Sequence, residues 1–422
     1  MKYAIYPPEE IIEDAVVTLP LSKSISTRML ILDALTPGAG NKVNAEAAVA
    51  QCDDTAVIIA ALQAYATGNS TDALTVDVKA SGAALRFLTA YFAVQPGCDV
   101  TITGIERLCQ RPMMPLVEAL QQCGASVQWL GREGCAPLRV LGTTLKGGEV
   151  TIDASQSSQF VSALLMVAPL MADGLHLKFV EAATSAPYIV MTVEMMKQRG
   201  IDVERTPLAI KVPHATYQAV DQTVEGDWSA AAFWYEMTAV SSGWFTVTNL
   251  EANSIQGDKA AAQFFECLGV ETEFADDGTT ALNPSPEIYG HLSLDLADNP
   301  DLAPALVATC CLIGVPFRFT GLHTLATKEC NRLEALQQEM AKIGRIISPL
   351  GNGGLEWDGK SRPIVAKVEF DAHNDHRMAM ALAPTAFYLP GVTLSGVESV
   401  SKSYPDYWDH LRSIGFTLTE VE

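Results

Sequence analysis

The sequence is short of cations. Its 422 residues carry 28 Lys and Arg against 49 Asp and Glu, a formal net charge of -21. Phosphate backbones need a cationic face, so nucleic acid is excluded as a partner. A small anionic ligand needs only a local basic pocket, and the question becomes where those few cations sit. Long apolar runs are also missing. No stretch of about 18 uninterrupted apolar residues occurs, and Met1-Lys2-Tyr3-Ala4 opens no signal-peptide core. A soluble, cytoplasmic protein is expected. The nine cysteines include no Cys-x-x-Cys pair, and Cys310 and Cys311 are adjacent within an apolar stretch. That usage fits reduced, buried thiols and argues against a disulfide framework or a zinc site.

What is present is core material: 48% hydrophobic and 18% charged residues describe a well-buried globular chain. The length suits two domains of roughly 200 residues each. Internal repetition organises them. A helical stretch ending in glycine and leading into an apolar or β-branched residue recurs six times, at Gly68, Gly124, Gly200, Gly269, Gly344 and Gly415, spaced 56, 76, 69, 75 and 71 residues apart. Each glycine suits a helix C-terminal cap. Between them lies a second series, apolar nearly all round, at 24–35, 83–94, 158–171, 229–240, 302–313 and 377–388. A helix apolar on every side must be buried. Six units of buried helix, outer helix and strands divide naturally into two domains of three.

The buried helices begin at polar motifs: Ser22-Lys23-Ser24, Ser81-Gly82, Ser157-Ser158-Gln159, Gly226-Asp227-Trp228-Ser229, Asn299-Pro300-Asp301 and Asn374-Asp375-His376-Arg377. Helix N-termini attract anions. Ser, Asp and Asn are equally ordinary N-caps, and for any single start capping is the simpler account. Capping does not explain the adjacent cations. Lys23 and Arg28 enter a helix heading into a core, where cations need partners. Arg111-Pro112 and Lys328-Glu329-Cys330-Asn331-Arg332 each pass alone as a solvated surface. Asn374-Asp375-His376-Arg377 runs straight into Met378-Ala379-Met380, a concentration of polarity that solubility does not require. No His-x-x-x-His or carboxylate spacing makes His376 a metal ligand, and no phosphate-binding Gly-x-x-x-x-Gly-Lys loop occurs.

Five segments, in this order, resemble the 5-enolpyruvylshikimate-3-phosphate (EPSP) synthase family of enolpyruvyl transferases. They are Ser22-Lys23-Ser24-x-Ser26-x-Arg28, Ser157-Ser158-Gln159-Phe160, Lys328-Glu329-x-x-Arg332-Leu333, Asn374-Asp375-His376-Arg377-Met378-Ala379-Met380 and Ser401-Lys402-Ser403-Tyr404-Pro405. The resemblance runs from Leu19 to Leu411. It implies a two-domain, inside-out α/β barrel fold of six βαβαββ repeats, three per domain, with buried helices and sheets outside. One domain is expected at 20–225, the other at 1–19 plus 226–422.

The resemblance also implies roles. Shikimate 3-phosphate would meet Ser157, Ser158 and Ser185 at its phosphate and Arg28 and Tyr188 at its carboxylate, with Ser24, Gln159, Asp301 and Lys328 around the ring. Phosphoenolpyruvate would meet Lys23, Gly82, Arg111, Arg332, Arg377 and Lys402. Asp301 would accept the proton of the 5-hydroxyl as that oxygen attacks C2 of phosphoenolpyruvate. Glu329 would protonate the methylene carbon to give a tetrahedral ketal phosphate, then remove a proton as phosphate leaves, with Lys23 assisting. No metal or organic cofactor is implied, and a monomer is expected. The sequence departs from the usual family pattern at Leu21, Ala80, Phe87 and Thr324, where Gly, Asn, Pro and Asn are common.

Two rivals follow. A transferase acting on UDP-N-acetylglucosamine shares the fold and uses a loop cysteine, and Cys109 falls in that region. As a bland alternative, Cys109 is a small hydrophobe. A non-catalytic phosphometabolite-binding protein is the second rival, but binding anions gains nothing from the carboxylates Asp301 and Glu329.

Overall fold

The computed structural model describes residues 1–10, 15–38, 48–67, 73–351, 353–364 and 367–421. The chain divides into two compact units, one made of Met1–Ser22 with Glu225–Glu422, the other of Lys23–Val224. We call them the discontinuous unit and the inserted unit.

Among the described residues five four-stranded sheets share one topology: two parallel strands, then two antiparallel ones. In the inserted unit Leu74–Asp77 and Asp99–Thr103 run parallel, followed by Leu138–Leu141 and Ser126–Trp129. Its second sheet is Gly148–Ile152, Leu175–Phe179, Ala209–Val212 and Glu204–Thr206. Parallel neighbours need a crossover, and the buried helix supplies it. Thus Leu74–Asp77 leads through helix Gly82–Ala93 to Asp99–Thr103. Among the described residues the unit's first repeat contributes helices Lys23–Leu35 and Asp53–Thr67 without a sheet of its own. Gly68 lies outside the described residues.

The discontinuous unit holds three such sheets, and its N-terminal segment serves two of them. Lys2–Tyr6 lies between Val392–Ser395 and Thr417–Glu420, while Val16–Thr18 pairs in parallel with Phe245–Thr248. The whole inserted unit therefore interrupts one crossover, between Val16–Thr18 and helix Trp228–Ser241. The two crossings are stitched together within the discontinuous unit. Ser22 N donates to Glu225 O at 2.8 Å, Asp227 N to Pro20 O at 2.9 Å, and Leu21 bridges to Gly226.

In each unit three apolar helices pack on one another: Lys23–Leu35, Gly82–Ala93 and Ser158–Val167 in one, Trp228–Ser241, Ala303–Ile313 and His376–Leu382 in the other. All residues of Gly82–Ala93 and of His376–Leu382 are buried. Each Leu or Phe side chain so enclosed contributes about 1.5–3 kcal/mol. The helices at 158–171 and 377–388 are shorter than their periodicity suggests. They tighten into 3₁₀ turns at Ala168–Leu170 and Ala383–Phe387, where Pro169 and Pro384 remove an amide donor. The third, expected at 302–313, starts as a 3₁₀ turn, Pro300–Leu302, and becomes α-helical at Ala303.

Side-chain capping is seen at four of these starts. Ser81 accepts from Ala84 N, Ser157 from Gln159 N, Asp227 from Ala230 N and Asp375 from Arg377 N. Among the described residues no helix is long and apolar enough to cross a membrane.

Candidate functional site

The sequence-predicted residues lie at or near helix starts and in the turns beside them. In the discontinuous unit the centre is Arg332, the first residue of helix Arg332–Lys342 and only 1% exposed. Its Nε and Nη2 grip both oxygens of Asp375 at 2.7 and 3.0 Å. Its Nη1 donates to Asp301 Oδ1 at 2.8 Å and its Nη2 to Glu329 Oε2 at 3.1 Å. Three carboxylates on one guanidinium exploit the fixed fork of donors that only arginine offers.

The remaining cations complete the network. Lys328 Nζ lies 3.2 Å from Asp301 Oδ1, and Arg377 Nη2 lies 3.4 Å from Asp301 Oδ2. Lys402 donates to Glu329 Oε1. Lys328, Arg332, Arg377 and Lys402 thus surround Asp301, Glu329 and Asp375. Burial alone would push the Asp301 pKa up, but Arg377, Lys328 and Arg332 outweigh it and hold the carboxyl well below its usual range. Asp301 is ionised. Burial would likewise pull Arg332 down, and Asp375, Glu329 and Asp301 push it well up instead. The Cys330 thiol, 3.6 Å from Asp375 Oδ2, is pushed up by burial and by Asp375, so it is an inert thiol.

Local backbone delivers these groups. His373 and Asn374 both adopt left-handed conformations, with φ of 53° and 54°, immediately before the cap residue Asp375. Strain of that kind costs of order 1–3 kcal/mol per residue and clusters at functional sites. Asp301 rides the Pro300–Leu302 turn, and Lys402 ends the turn Val397–Lys402.

The inserted unit builds a different cluster. Arg28 is buried, and its partners are neutral: Nε donates to Thr192 Oγ1 at 2.7 Å, Nη2 to Ser162 Oγ at 3.2 Å and Nη1 to Ser24 O at 2.9 Å. The rings of Phe87 and Tyr188 lie 5.3 and 5.9 Å from its guanidinium carbon. Burial pushes its pKa down to about 10, against the opposing influence of Tyr188, so it stays charged at neutral pH. Lys23 pairs with Asp54 at 3.3 Å. A Cβ on Gly82 would fall 2.6 Å from Arg86 Nη1 and 2.7 Å from Arg111 Nη1, so a side chain here would push the two guanidiniums away from this helix start. Arg86 also donates to Gly82 O at 3.0 Å and lies over the Phe160 ring.

Hydroxyls fill in around these cations. Ser157 caps the helix that Ser158 begins, and Gln159 Oε1 is shielded from solvent without a hydrogen-bond partner among the described residues. Ser185, buried and left-handed at φ 54°, stands directly before helix Ala186–Gln198, which carries Tyr188 in its first turn.

In the discontinuous unit Asp301, Lys328, Glu329, Arg332, Arg377 and Lys402 thus form one network, whereas the inserted unit shows smaller groups: Arg28 with Ser24 and Tyr188, Gly82 with Arg111, and Lys23 with Asp54. Sequence reasoning gave no role to Asp375, Asp54, Arg86, Ser162 and Thr192. Asp375 sits inside a motif already singled out, and Arg86 follows the Ser81-Gly82 start by one helical turn. Hydroxyls within the apolar helices Ser158–Val167 and Ala186–Gln198 were the available sign of Ser162 and Thr192. Asp54 reads as an ordinary acidic first turn, and no sequence signal distinguishes it.

Repeated βαβαββ units with polar helix starts over buried apolar helices define a two-domain α/β fold built to handle anions. A family model for EPSP synthase (3-phosphoshikimate 1-carboxyvinyltransferase) matches residues 12–411, and the chain belongs to that family. A 3-phosphoshikimate 1-carboxyvinyltransferase of Bacteroides fragilis is 42% identical over 420 residues, 99% of each chain. One from Syntrophobacter fumaroxidans is 36% identical over 331 residues, covering 78% of this chain and 77% of that one. Among solved structures, EPSP synthase from Acinetobacter baumannii superposes with a TM-score of 0.76 at 20% identity, over 99% of this chain and 100% of that one. That likeness carries the fold.

Proposed function

We infer that this chain transfers the enolpyruvyl group of phosphoenolpyruvate to the 5-hydroxyl of shikimate 3-phosphate and releases phosphate. Family membership over residues 12–411 supports the reaction. The observation that carries the residue roles is the Arg332-centred network, in which two largely buried carboxylates, Asp301 and Glu329, sit among four cations.

In this reading the inserted unit mainly binds shikimate 3-phosphate. Ser157, Ser158 and Ser185 take its phosphate, Arg28 and Tyr188 its carboxylate, with Ser24 and Gln159 at the ring. The discontinuous unit carries Asp301, Glu329 and Lys328, and it meets phosphoenolpyruvate with Arg332, Arg377 and Lys402. Lys23, Arg111 and Gly82 complete that second ligand's contacts. Addition and elimination proceed through a tetrahedral intermediate. Asp301 takes the hydroxyl proton, Glu329 gives a proton to the methylene carbon and later removes one, and Lys23 assists at oxygen.

A carboxylate held far below its usual pKa is a weak base. The ligands supply the correction. When phosphate and carboxylate oxygens bind Arg332, Arg377 and Lys328, those cations are shared and their hold on Asp301 relaxes. The basicity of Asp301 therefore rises when substrate is present, while the carboxylate stays ionised and able to accept the hydroxyl proton.

The enzyme works as a cytoplasmic monomer in this reading. A phosphate-release assay tests it: release with shikimate 3-phosphate and phosphoenolpyruvate, and none with a UDP-amino sugar, is expected. Cys109, whose thiol donates to Gly104 O at 3.4 Å, has no chemical part, and Cys109→Ser should leave turnover unchanged.

A further inference from the structure

In the discontinuous unit, segment 254–259 touches both the paired chain crossings and the turn that carries Asp301. Gln256 is 4% exposed. Its Oε1 accepts from Ser22 Oγ at 2.9 Å and Trp228 N at 3.2 Å. Its Nε2 donates to Glu225 Oε1 at 2.9 Å and Gly226 O at 2.7 Å. The segment is thereby anchored to the crossings and to the start of helix Trp228–Ser241.

Two residues on, Asp258 is 2% exposed. It accepts hydrogen bonds from Ser229 Oγ, on that same helix start, and from Asn299 Nδ2 at 3.3 Å. Asn299 immediately precedes the Pro300–Leu302 turn, so the bond fixes the residue from which Asp301 is launched. Two charged groups act on Asp258: Arg377 attracts it and Asp301 repels it. Burial, reinforced by Asp301, raises the Asp258 pKa against the pull of Arg377. An asparagine here, its oxygen toward Asn299 and its amide NH2 donating to a Ser229 hydroxyl turned to accept, would keep both contacts without burying an acid beside a second acid. Burial of an acid in such a place is costly unless the charge has a use.

We propose that Asp258 is a positioning residue for the transfer reaction: through Asn299 it orients the turn that carries Asp301. This rests on the reading that Asp301 takes the hydroxyl proton. Misplacing a reacting group by about 1 Å costs up to about a hundredfold, so Asp258→Ala should lower kcat roughly tenfold to a hundredfold. KM for either substrate should move little, because no substrate contact is lost.

The test measures kcat, KM, melting temperature and the pH profile of kcat for wild type, Asp258→Ala, Asp258→Asn and Asn299→Ala. Asp258→Asn should restore kcat to within about threefold at neutral pH, since the bonds survive. It should also move the acid limb of the profile to lower pH, because one negative neighbour of Asp301 has gone. Asn299→Ala should reproduce the Asp258→Ala loss, and the double variant should be no slower than either. A folded Asp258→Ala or Asn299→Ala with wild-type kcat overturns the proposal. So does an Asp258→Asn variant as slow as Asp258→Ala with the acid limb unmoved. If Asp258→Ala does not fold, the other two variants decide. Inactivity of the wild type with both substrates would overturn the reaction assignment itself, whereas an active wild type with indifferent variants removes only the role of Asp258.

Discussion

The two units solve the problem of a buried cation in opposite ways. Arg28 in the inserted unit is surrounded by hydroxyls, carbonyls and aromatic faces, and no carboxylate meets it among the described residues. Its charge stays uncompensated and available to an anion. Arg332 in the discontinuous unit is equally buried but already holds Asp301, Glu329 and Asp375. A cation solvated by dipoles is a binding device. One that grips acids sets their proton affinity instead. In the proposed function the difference corresponds to shikimate 3-phosphate binding mainly in the inserted unit, and to proton transfer with part of the phosphoenolpyruvate binding in the discontinuous one.

The sharpest way to break that contrast is to neutralise the acids. Asp301→Asn and Glu329→Gln should each cut kcat by about 10²–10⁴, the usual worth of a general acid or base, with substrate KM nearly unchanged in a phosphate-release assay. Full turnover in either variant would end the division of labour. Arg28→Ala should act on the other side of the contrast. Losing charge-assisted bonds of about 1.5–3 kcal/mol should raise KM for shikimate 3-phosphate roughly tenfold to a hundredfold, with a smaller change in kcat.

A third test uses a buried acid with no cation at all. Glu236, in the middle of helix Trp228–Ser241, is fully buried, and neither of its oxygens has a hydrogen-bond partner among the described residues. Burial raises its pKa well above the usual value, the reverse of Asp301. Because the folded-state pKa is raised, stability is lost as pH climbs through the unfolded value near 4.5 and continues to fall up to the folded one. Asp301, with its pKa depressed, contributes stability above its unfolded value that is lost only as pH drops through the lower folded one. Glu236→Met should therefore stabilise by about 1–3 kcal/mol at neutral pH, with a larger gain in thermal melting at pH 8 than at pH 4.5. The smallest effect belongs to Phe87, which departs from the family's usual proline and lies beside Arg28. Loss of a cation–π contact of about 0.5–2 kcal/mol predicts that Phe87→Leu raises KM for shikimate 3-phosphate by a few fold.

Much of the fold was legible because its signals are local. All-round apolar helices, glycine stops and polar starts repeat at near-constant spacing, and the observed helices follow them to within a few residues. The helix ends at Pro169 and Pro384 were misjudged because apolar periodicity runs through a proline that the hydrogen-bond ladder cannot. The site was legible only as a collection of cations. Asp375 and Lys402 lie far apart in sequence from Arg332 and Glu329, and nothing in the spacing announces which cation meets which acid.

By itself the sequence determined which segments must be buried, how many times the unit repeats and which residue types stand at the helix starts, because each of these depends on neighbours along the chain. Only the tertiary structure decided that Arg28 faces hydroxyls while Arg332 faces acids. Electrostatic environment depends on distances between residues such as Arg332 and Asp375, 43 positions apart, or Arg28 and Thr192, 164 apart, and folding alone sets those distances.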